Sequence, residues 1–453
     1  MRVTNGMLVN TTLTGLYNNM NAMNKTYAQM VSGKKIQTVS EDPIIAGRAL
    51  KLKTSVLENE QYESNTKEAT SWMEITEGAL SNIHDILQTI RTKCVEAATA
   101  TLEKEDKEVI KNEIEELWKQ IQEEGNVSYG GRYVFTGYKT SEPLVLSAAT
   151  TLKEECQLAA DLYLPGALTI EENTDTHTTN ELSAKKGSVL GSGTILGEGT
   201  TLAQGTDLPR GTVLSKKDAV GLGFLTETEA EELEGEVYTL TEEKKVTVSG
   251  YPLQKAMTLG GSIELLADTT LGKGTTLTKG TTLKKGSTVA QGTTLPAGTL
   301  NPAVNGNIKD QSIQYEIGVN STISVNTQKM DEIFSDIAQT IGELSSKIEA
   351  SLKDDTVTTE DLYELFNAKL KVFDDLLGEV SKATTDLGAR MSRVDYVESR
   401  LTDQKTTLKS LLSDTEDIDI EEVYVKFNTQ YATYQSALQA TSKIITNTLA
   451  DYL

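Results

Sequence analysis

Histidine and cysteine are almost absent from this sequence, with 2 of each among 453 residues, and aromatic residues make up 5%. Two histidines leave little room for multi-histidine metal sites or histidine-based catalysis, so a non-enzymatic role leads from the start. Cys94 and Cys156 lie far apart and in segments of different kind. Cys94 falls on a helical apolar seam, where it reads as a small buried hydrophobe rather than half of a disulfide. So few aromatics argue against one thick globular core and for a thin, elongated architecture. No stretch approaches the roughly 20 apolar residues that a membrane-spanning helix needs. The opening Met1-Arg2-Val3-Thr4-Asn5-Gly6 has neither an apolar core nor a small-residue cleavage site. No cleaved secretory signal is therefore expected, and any route out of the cell would read an uncleaved, polar N-terminus. Basic residues are also in deficit, 43 Lys and Arg against 66 Asp and Glu for a net charge of −23. Such a chain repels a phosphate backbone at long range, which excludes nucleic acid as a partner.

What is present is helical periodicity at both ends. Val9, Leu13, Leu16, Met20, Met23, Tyr27 and Met30 recur at spacings of four and three, the heptad pattern of a coiled-coil seam, up to a breaker at Ser32-Gly33. Ser40-Glu41-Asp42-Pro43 is a second helix start, with a capping side chain and Pro at the first helical position. Beyond it Met73, Thr76, Leu80, Ile83, Leu87, Ile90, Cys94 and Ala97 form a seam. A shorter one carries Ile110, Ile114, Leu117 and Ile121. Tyr129 to Gly137 then has the composition of a β-hairpin or turn. In the C-terminal third, Met330, Phe334, Ile337, Ile341, Leu344 and Ile348 make one seam, and Phe366 to Leu411 a longer one. The last helix carries Tyr424, Phe427, Tyr431, Tyr434, Leu438, Thr441 and Ile445.

The middle follows another rule. Gly187, Gly193, Gly199, Gly205 and Gly211 fall six apart, as do Gly274, Gly280, Gly286, Gly292 and Gly298. Each is followed by Thr or Ser, and three positions on, except after Gly298, comes an aliphatic residue such as Leu190, Leu196 or Leu283. One tight turn and one inward aliphatic every six residues predict a β-solenoid-like domain, whether closed into a β-helix or laid out as flat hairpins. The predicted fold class is thus mainly α, an elongated helical bundle built from both chain ends, with an inserted β-rich hexapeptide-repeat domain. Residues 1–42 and 415–453 form a terminal helical pair, 43–142 and 315–414 a helical rod, and 143–314 the insertion, with arrays at 187–214 and 271–300.

The terminal helices pose a physical question. Ordering a lone amphipathic helix costs more backbone entropy than one half-covered seam returns, and pairing two still leaves each partly exposed. Stacking of many copies around a tube satisfies both seams; periodicity alone leaves an ordinary intramolecular bundle equally open. The candidate interface comprises Val9, Leu13, Leu16, Met20, Met23, Tyr27, Phe427, Tyr431, Tyr434, Leu438 and Ile445.

Several segments carry a family resemblance. They are Arg2-Val3-Thr4-Asn5, Met30-Val31-Ser32-Gly33-Lys34-Lys35-Ile36, Ser40-Glu41-Asp42-Pro43, Ala46 to Leu52 and Gly130 to Gly137. At the other end stand Leu387-Gly388-Ala389-Arg390, Arg400 to Lys405, Leu411 to Asp417 and Thr448 to Leu453. With these segments the chain resembles the flagellin superfamily of bacterial axial proteins over roughly residues 1–142 and 315–453. The ending Asp451-Tyr452-Leu453 is more similar to the superfamily's hook-associated junction branch than to flagellins. Val39 stands where the family usually has Pro, and Glu41 where it often has Asp. The resemblance implies a structural subunit without enzyme activity, cofactor or metal, located extracellularly in the flagellum and exported without a cleaved signal. Its implied place is an adaptor ring joining hook to filament. Its implied partners are further copies of itself, the first hook-associated protein, flagellin, and a flagellar export chaperone and export gate. The insertion lies outside the shared pattern, so its role does not carry over.

Rival readings are weaker on chemistry. Hexapeptide acyltransferases use a histidine base, and His177 precedes the first array, but helical arms are foreign to that fold. Gly191 to Gly197 could be taken for a phosphate loop, yet its glycines belong to the repeat and no Gly-Lys-Ser/Thr follows. The Glu227 to Glu236 run, with Glu231, Glu232 and Glu234, reads as a solvated face, and His84 as a helix-surface residue. Within the superfamily the alternative is a flagellin-like filament subunit; a glycan-binding outer domain is another.

Overall fold

The computed structural model describes residues 5–99, 104–152, 155–158, 161–169, 182–233, 235–248, 250–272, 274–304, 308, 311–353 and 359–450. Among the described residues, α1 (Asn5–Ser32), α2 (Pro43–Thr99) and α3 (Lys104–Gly125) precede in sequence, and α6 (Met330–Lys353), α7 (Thr359–Glu416) and α8 (Ile420–Ala450) follow, a strand-rich middle that itself contains α4 (Lys216–Gly221) and α5 (Glu227–Glu232). Two compact units divide the chain. One gathers residues 1–67, 316–321 and 395–453; the other gathers 68–315 and 322–394.

In the first unit, helix boundaries follow local chemistry. α1 ends where Gly33 adopts φ +71° and its amide bonds Gln29 O at 2.9 Å, a left-handed stop that suits glycine. The carboxylate of Asp42 accepts the amides of Ile44 and Ile45, both at 3.0 Å, so it caps α2 directly before Pro43. Asp419 caps α8 in the same way, through the amides of Glu421 and Glu422. Ala46, Ala49 and Val56 of α2 are buried, as are Val397 and Leu401 of α7. Lys405 bridges Glu63 at 2.8 Å and Glu60 at 3.6 Å.

The second unit contains the helical core that periodicity predicts. Met73, Thr76, Leu80, Ile83, Leu87, Ile90, Cys94 and Ala97 are all fully buried, as are Met330, Phe334, Ile337 and Leu344 of α6. α3 packs on α6. The predicted hairpin forms between Ser128–Tyr129 and Arg132–Tyr133, turning through Gly130 (φ +56°) and Gly131 (φ +79°). Trp72 lies edge-on to Tyr129 with centroids 6.0 Å apart, and the Arg132 guanidinium sits 5.3 Å from the Trp72 ring centre. Arg390 donates from Nη1 to the carbonyls of Ser324 and Asn326, at 3.0 and 2.9 Å.

The hexads pair differently from a stack of single-chain coils. Outgoing Val145, Thr151, Gln157, Tyr163 and Thr169 lie opposite returning Leu300, Thr294, Thr288, Thr282 and Thr276. Further out, Ser183, Val189, Ile195, Thr201, Asp207 and Val213 face Thr270, Glu264, Thr258, Pro252, Lys245 and Thr239. Every one of these pairings is antiparallel. Among the described residues the coil-on-coil parallel ladder of a single-strand solenoid is therefore not found. The reason is the residue after each glycine. Thr281, Thr275 and Ser287 are buried, and their hydroxyls accept the amides of Gly191 (3.0 Å), Gly197 (2.9 Å) and Lys185 (3.0 Å). Reciprocally, Ser188 and Thr200 accept those of Lys284 (3.0 Å) and Gly272 (2.8 Å). These hexads are thereby satisfied by others far away in sequence. The strands also meet side by side at Thr288 with Ser183, Thr282 with Val189, Thr276 with Ile195 and Val213 with Thr258.

Candidate assembly interface

The candidate interface residues gather on one pair of helices. α1 and α8 pack against each other, and Tyr27 meets Phe427 with ring centroids 6.0 Å apart, Phe427 in turn stacking on Tyr431 at 6.3 Å. Because Lys34 also lies opposite Asp417, the two helices run antiparallel. Heptads put Val9, Leu13, Leu16, Met20 and Met23 on the side of α1 that faces α8, yet each remains only half-buried. Tyr27 is 54% exposed, Tyr431 47% and Leu438 41%, while Phe427 and Tyr434 are half-buried. Ile445 belongs to α8, but its side chain lies outside the described residues.

Among the described side chains of α1 only Thr26 is buried, and among those of α8 only Thr441. Further apolar groups stand free on both helices, including Tyr17, Val31, Tyr424 and Val425, each more than half exposed. Within this unit the pair therefore holds a two-sided apolar surface that no described element covers. Tyr424 belongs to the predicted seam of the last helix, whereas Tyr17, Val31 and Val425 lie off the heptad stripes and were passed over.

Where the two helices begin to part, a polar cluster joins them. Lys34 Nζ lies 2.7 Å from Asp417 Oδ1 and 3.6 Å from Glu416 Oε2, and Lys53 Nζ lies 2.8 Å from Glu416 Oε1. The hydrogen bond from Lys34, joined by one from Ser413, holds the Asp417 carboxyl below its ordinary range; the same contact raises Lys34. Backbone bonds close the junction, Lys35 N to Glu416 O at 2.7 Å and Ile418 N to Gly33 O at 3.0 Å. Sequence reasoning missed this cluster. Its signal was the pair of basic residues after Gly33 and the acidic run before α8, which nothing local shows to be partners.

The rival sites fare as follows. Gly191 and Gly197 turn their amides to threonine hydroxyls of the opposing strand, not outward to a phosphate. Glu229 closes a capping box with Thr226 at the start of α5. His177 and Glu234 lie outside the described residues. Cys94 is buried and Cys156 half-buried, both free thiols. Burial pushes the Cys94 thiol up to about 12. Among the described residues no group of three metal-ligating side chains occurs, and no helix is long and apolar enough to cross a membrane.

The description "Bacterial flagellin N-terminal helical region" matches residues 3–140, and "Bacterial flagellin C-terminal helical region" matches residues 370–453. Both ends of the chain are thus similar to the helical regions of the flagellin family. Flagellar hook-associated protein 3 of Salmonella typhimurium is 31% identical over 31% of this chain and 44% of its own length. The protein of the same name from Escherichia coli is 27% identical over 42% of this chain and 61% of its own length. A flagellin of Bacillus subtilis is 26% identical over 41% of this chain and 66% of its own length. The chain thus spans about half the length of the hook-associated relatives it matches. The two matched regions contain α1 and α8 and leave the hexads outside, as the resemblance of the chain ends implied.

Proposed function

We propose that this chain is a flagellin-family structural subunit of the bacterial flagellum, sited at the hook–filament junction and without catalytic activity. In this reading copies of the chain form an adaptor ring, with the first hook-associated protein on one side and flagellin on the other. The chain is handled before assembly by an export chaperone and export gate, and leaves the cell with its N-terminus uncleaved. The observation that carries the reading is the half-covered apolar surface of α1 and α8, which an isolated pair cannot satisfy and neighbouring pairs can. Residues 1–42 with 415–453 would supply the inner contacts and 43–142 with 315–414 the surrounding rod. The insertion at 143–314 would act as a passive spacer. Thr258 and Thr276, three hexads apart in sequence, both pair with Ile195, which supports a solenoid-like winding of the paired strands.

The test is genetic. A null strain should carry hooks without filaments and shed monomeric flagellin into the medium, and the full chain should restore filaments. A chain trimmed of residues 1–40 or 420–453 should fold yet fail to restore them; restoration by either would overturn the reading. Deleting residues 150–305 should leave attachment intact, and its loss would refute the spacer role. Likeness to flagellin keeps a second reading, a bulk filament subunit, which copy number separates: a junction ring needs few copies per flagellum and a filament very many.

A further inference from the structure

The junction of the two chain ends holds more polar bonding than chain connection requires. Glu416 is 9% exposed, with one carboxylate oxygen held by Lys53 and the other 3.6 Å from Lys34 but accepting no hydrogen bond. Asp417 is held by Lys34 and by Ser413 Oγ at 2.7 Å. Lys35 contributes its amide to Glu416 O and its ammonium to the carbonyl of Asp414, and Gln29 Nε2 donates to Lys35 O at 2.6 Å. Lys25 and Glu41 form a further pair nearby, at 3.6 Å. These contacts join segments 379 and 383 residues apart. They sit directly beside two helices whose mutual burial is slight.

We infer that Lys34, Lys53, Glu416 and Asp417 form an ionic clasp that makes the pairing of α1 with α8 one event with the closing of the junction. The physics runs through effective concentration. Two helices that bury few side chains pair weakly, so the population of the pair is set by how tightly its ends are held together. A nearly buried Glu416 with two lysines at hand holds that end shut. Reversing either side leaves an uncompensated or repelled charge, which is far more costly than an exposed pair is stabilising. The clasp goes beyond the proposed flagellar role: it is a property of the isolated chain and stands whether or not that chain joins hook to filament.

The experiment measures pairing through disulfide formation. In a full-length chain with Cys94→Ser and Cys156→Ser, a reporter is built from Tyr27→Cys with Phe427→Cys, whose parent rings are 6.0 Å apart. The rate of oxidation reports how often α1 and α8 are paired, even when the pair is transient. Lys34→Glu and Asp417→Lys should each slow oxidation about tenfold, and the two together should restore it to within about threefold. Fluorescence of Trp72 and Trp118, both in the other compact unit, should be unchanged in every variant, which shows that a slow rate is not global unfolding. Single reversals that leave the rate unaltered, or a double reversal that stays slow, would overturn the clasp.

Discussion

The hydroxyl of Thr281 accepts the backbone amide of Gly191 at 3.0 Å across 90 residues of chain, and both are buried. The side chain thus completes the ladder where two-residue strands run out of backbone partners. Thr281→Val keeps the shape and removes the acceptor, leaving a buried amide unsatisfied. A loss of about 1–3 kcal/mol is expected, read as a lowered denaturant midpoint. Thr294→Val, on the exposed side of the same array, should change stability by less than about 0.5 kcal/mol. Equal losses at the two positions would refute the assignment.

Leu16 and Leu438 test the surface they share in the assembly reading. Each is at least partly exposed in the single chain, so Leu16→Gln or Leu438→Gln should shift the monomer's unfolding by under about 0.5 kcal/mol. Incorporation into assemblies should fall about tenfold or more, as apolar anchors do when truncated at an interface. Sedimentation of assembled against free chain reads one quantity and thermal melting the other. Matched losses in both would favour an intramolecular bundle.

Acid should loosen the first unit at a definite place. The hydrogen bond from Lys405, seconded by Lys67, pulls the Glu63 carboxyl down from 4.5 to about 2. A depressed carboxyl pKa contributes stability that is complete above about 4.5 and is lost as pH falls from there through about 2. Amide exchange across residues 43–67 should therefore accelerate over that window, and Glu63→Gln should flatten the dependence. A variant with the parent's acid profile would show that the pair does not matter.

Gly342 has no room for a side chain. A Cβ there would collide with the ring of Tyr163, a 5%-exposed residue of the outgoing hexads that packs against α6. Gly342→Ala should cost about 1–3 kcal/mol through overpacking. Combining it with Tyr163→Leu should recover part of that loss, because the two sites are in contact. Additive losses in the double variant would mean that the close approach is not what the glycine serves.

Legibility from sequence tracks the range of the interaction. The buried seams of α2, α6 and α7 were readable because each is a local heptad, and Pro43 and Gly33 marked real helix ends because capping acts within one turn. The glycine hexads were readable for the same reason. Their partners were not: Leu146, Leu158 and Leu164 on one side, and Leu253, Leu259 and Leu265 on the other, carry the six-residue step without a glycine at every sixth position. They take position from backbone bonds such as Leu158 N to Ser287 O at 2.8 Å and Leu265 N to Ser188 O at 2.8 Å. The clasp was hidden for the same physical reason, since Lys34 and Asp417 are brought together by everything between them.

The one-to-one match between departing and homecoming hexads restricts how this insertion can change size. A gain or loss of six residues in one strand alone would leave one hexad without an opposing partner. Growth or trimming by descent or by engineering must therefore happen at two distant places at once, one hexad in each, like teeth added to both sides of a zip.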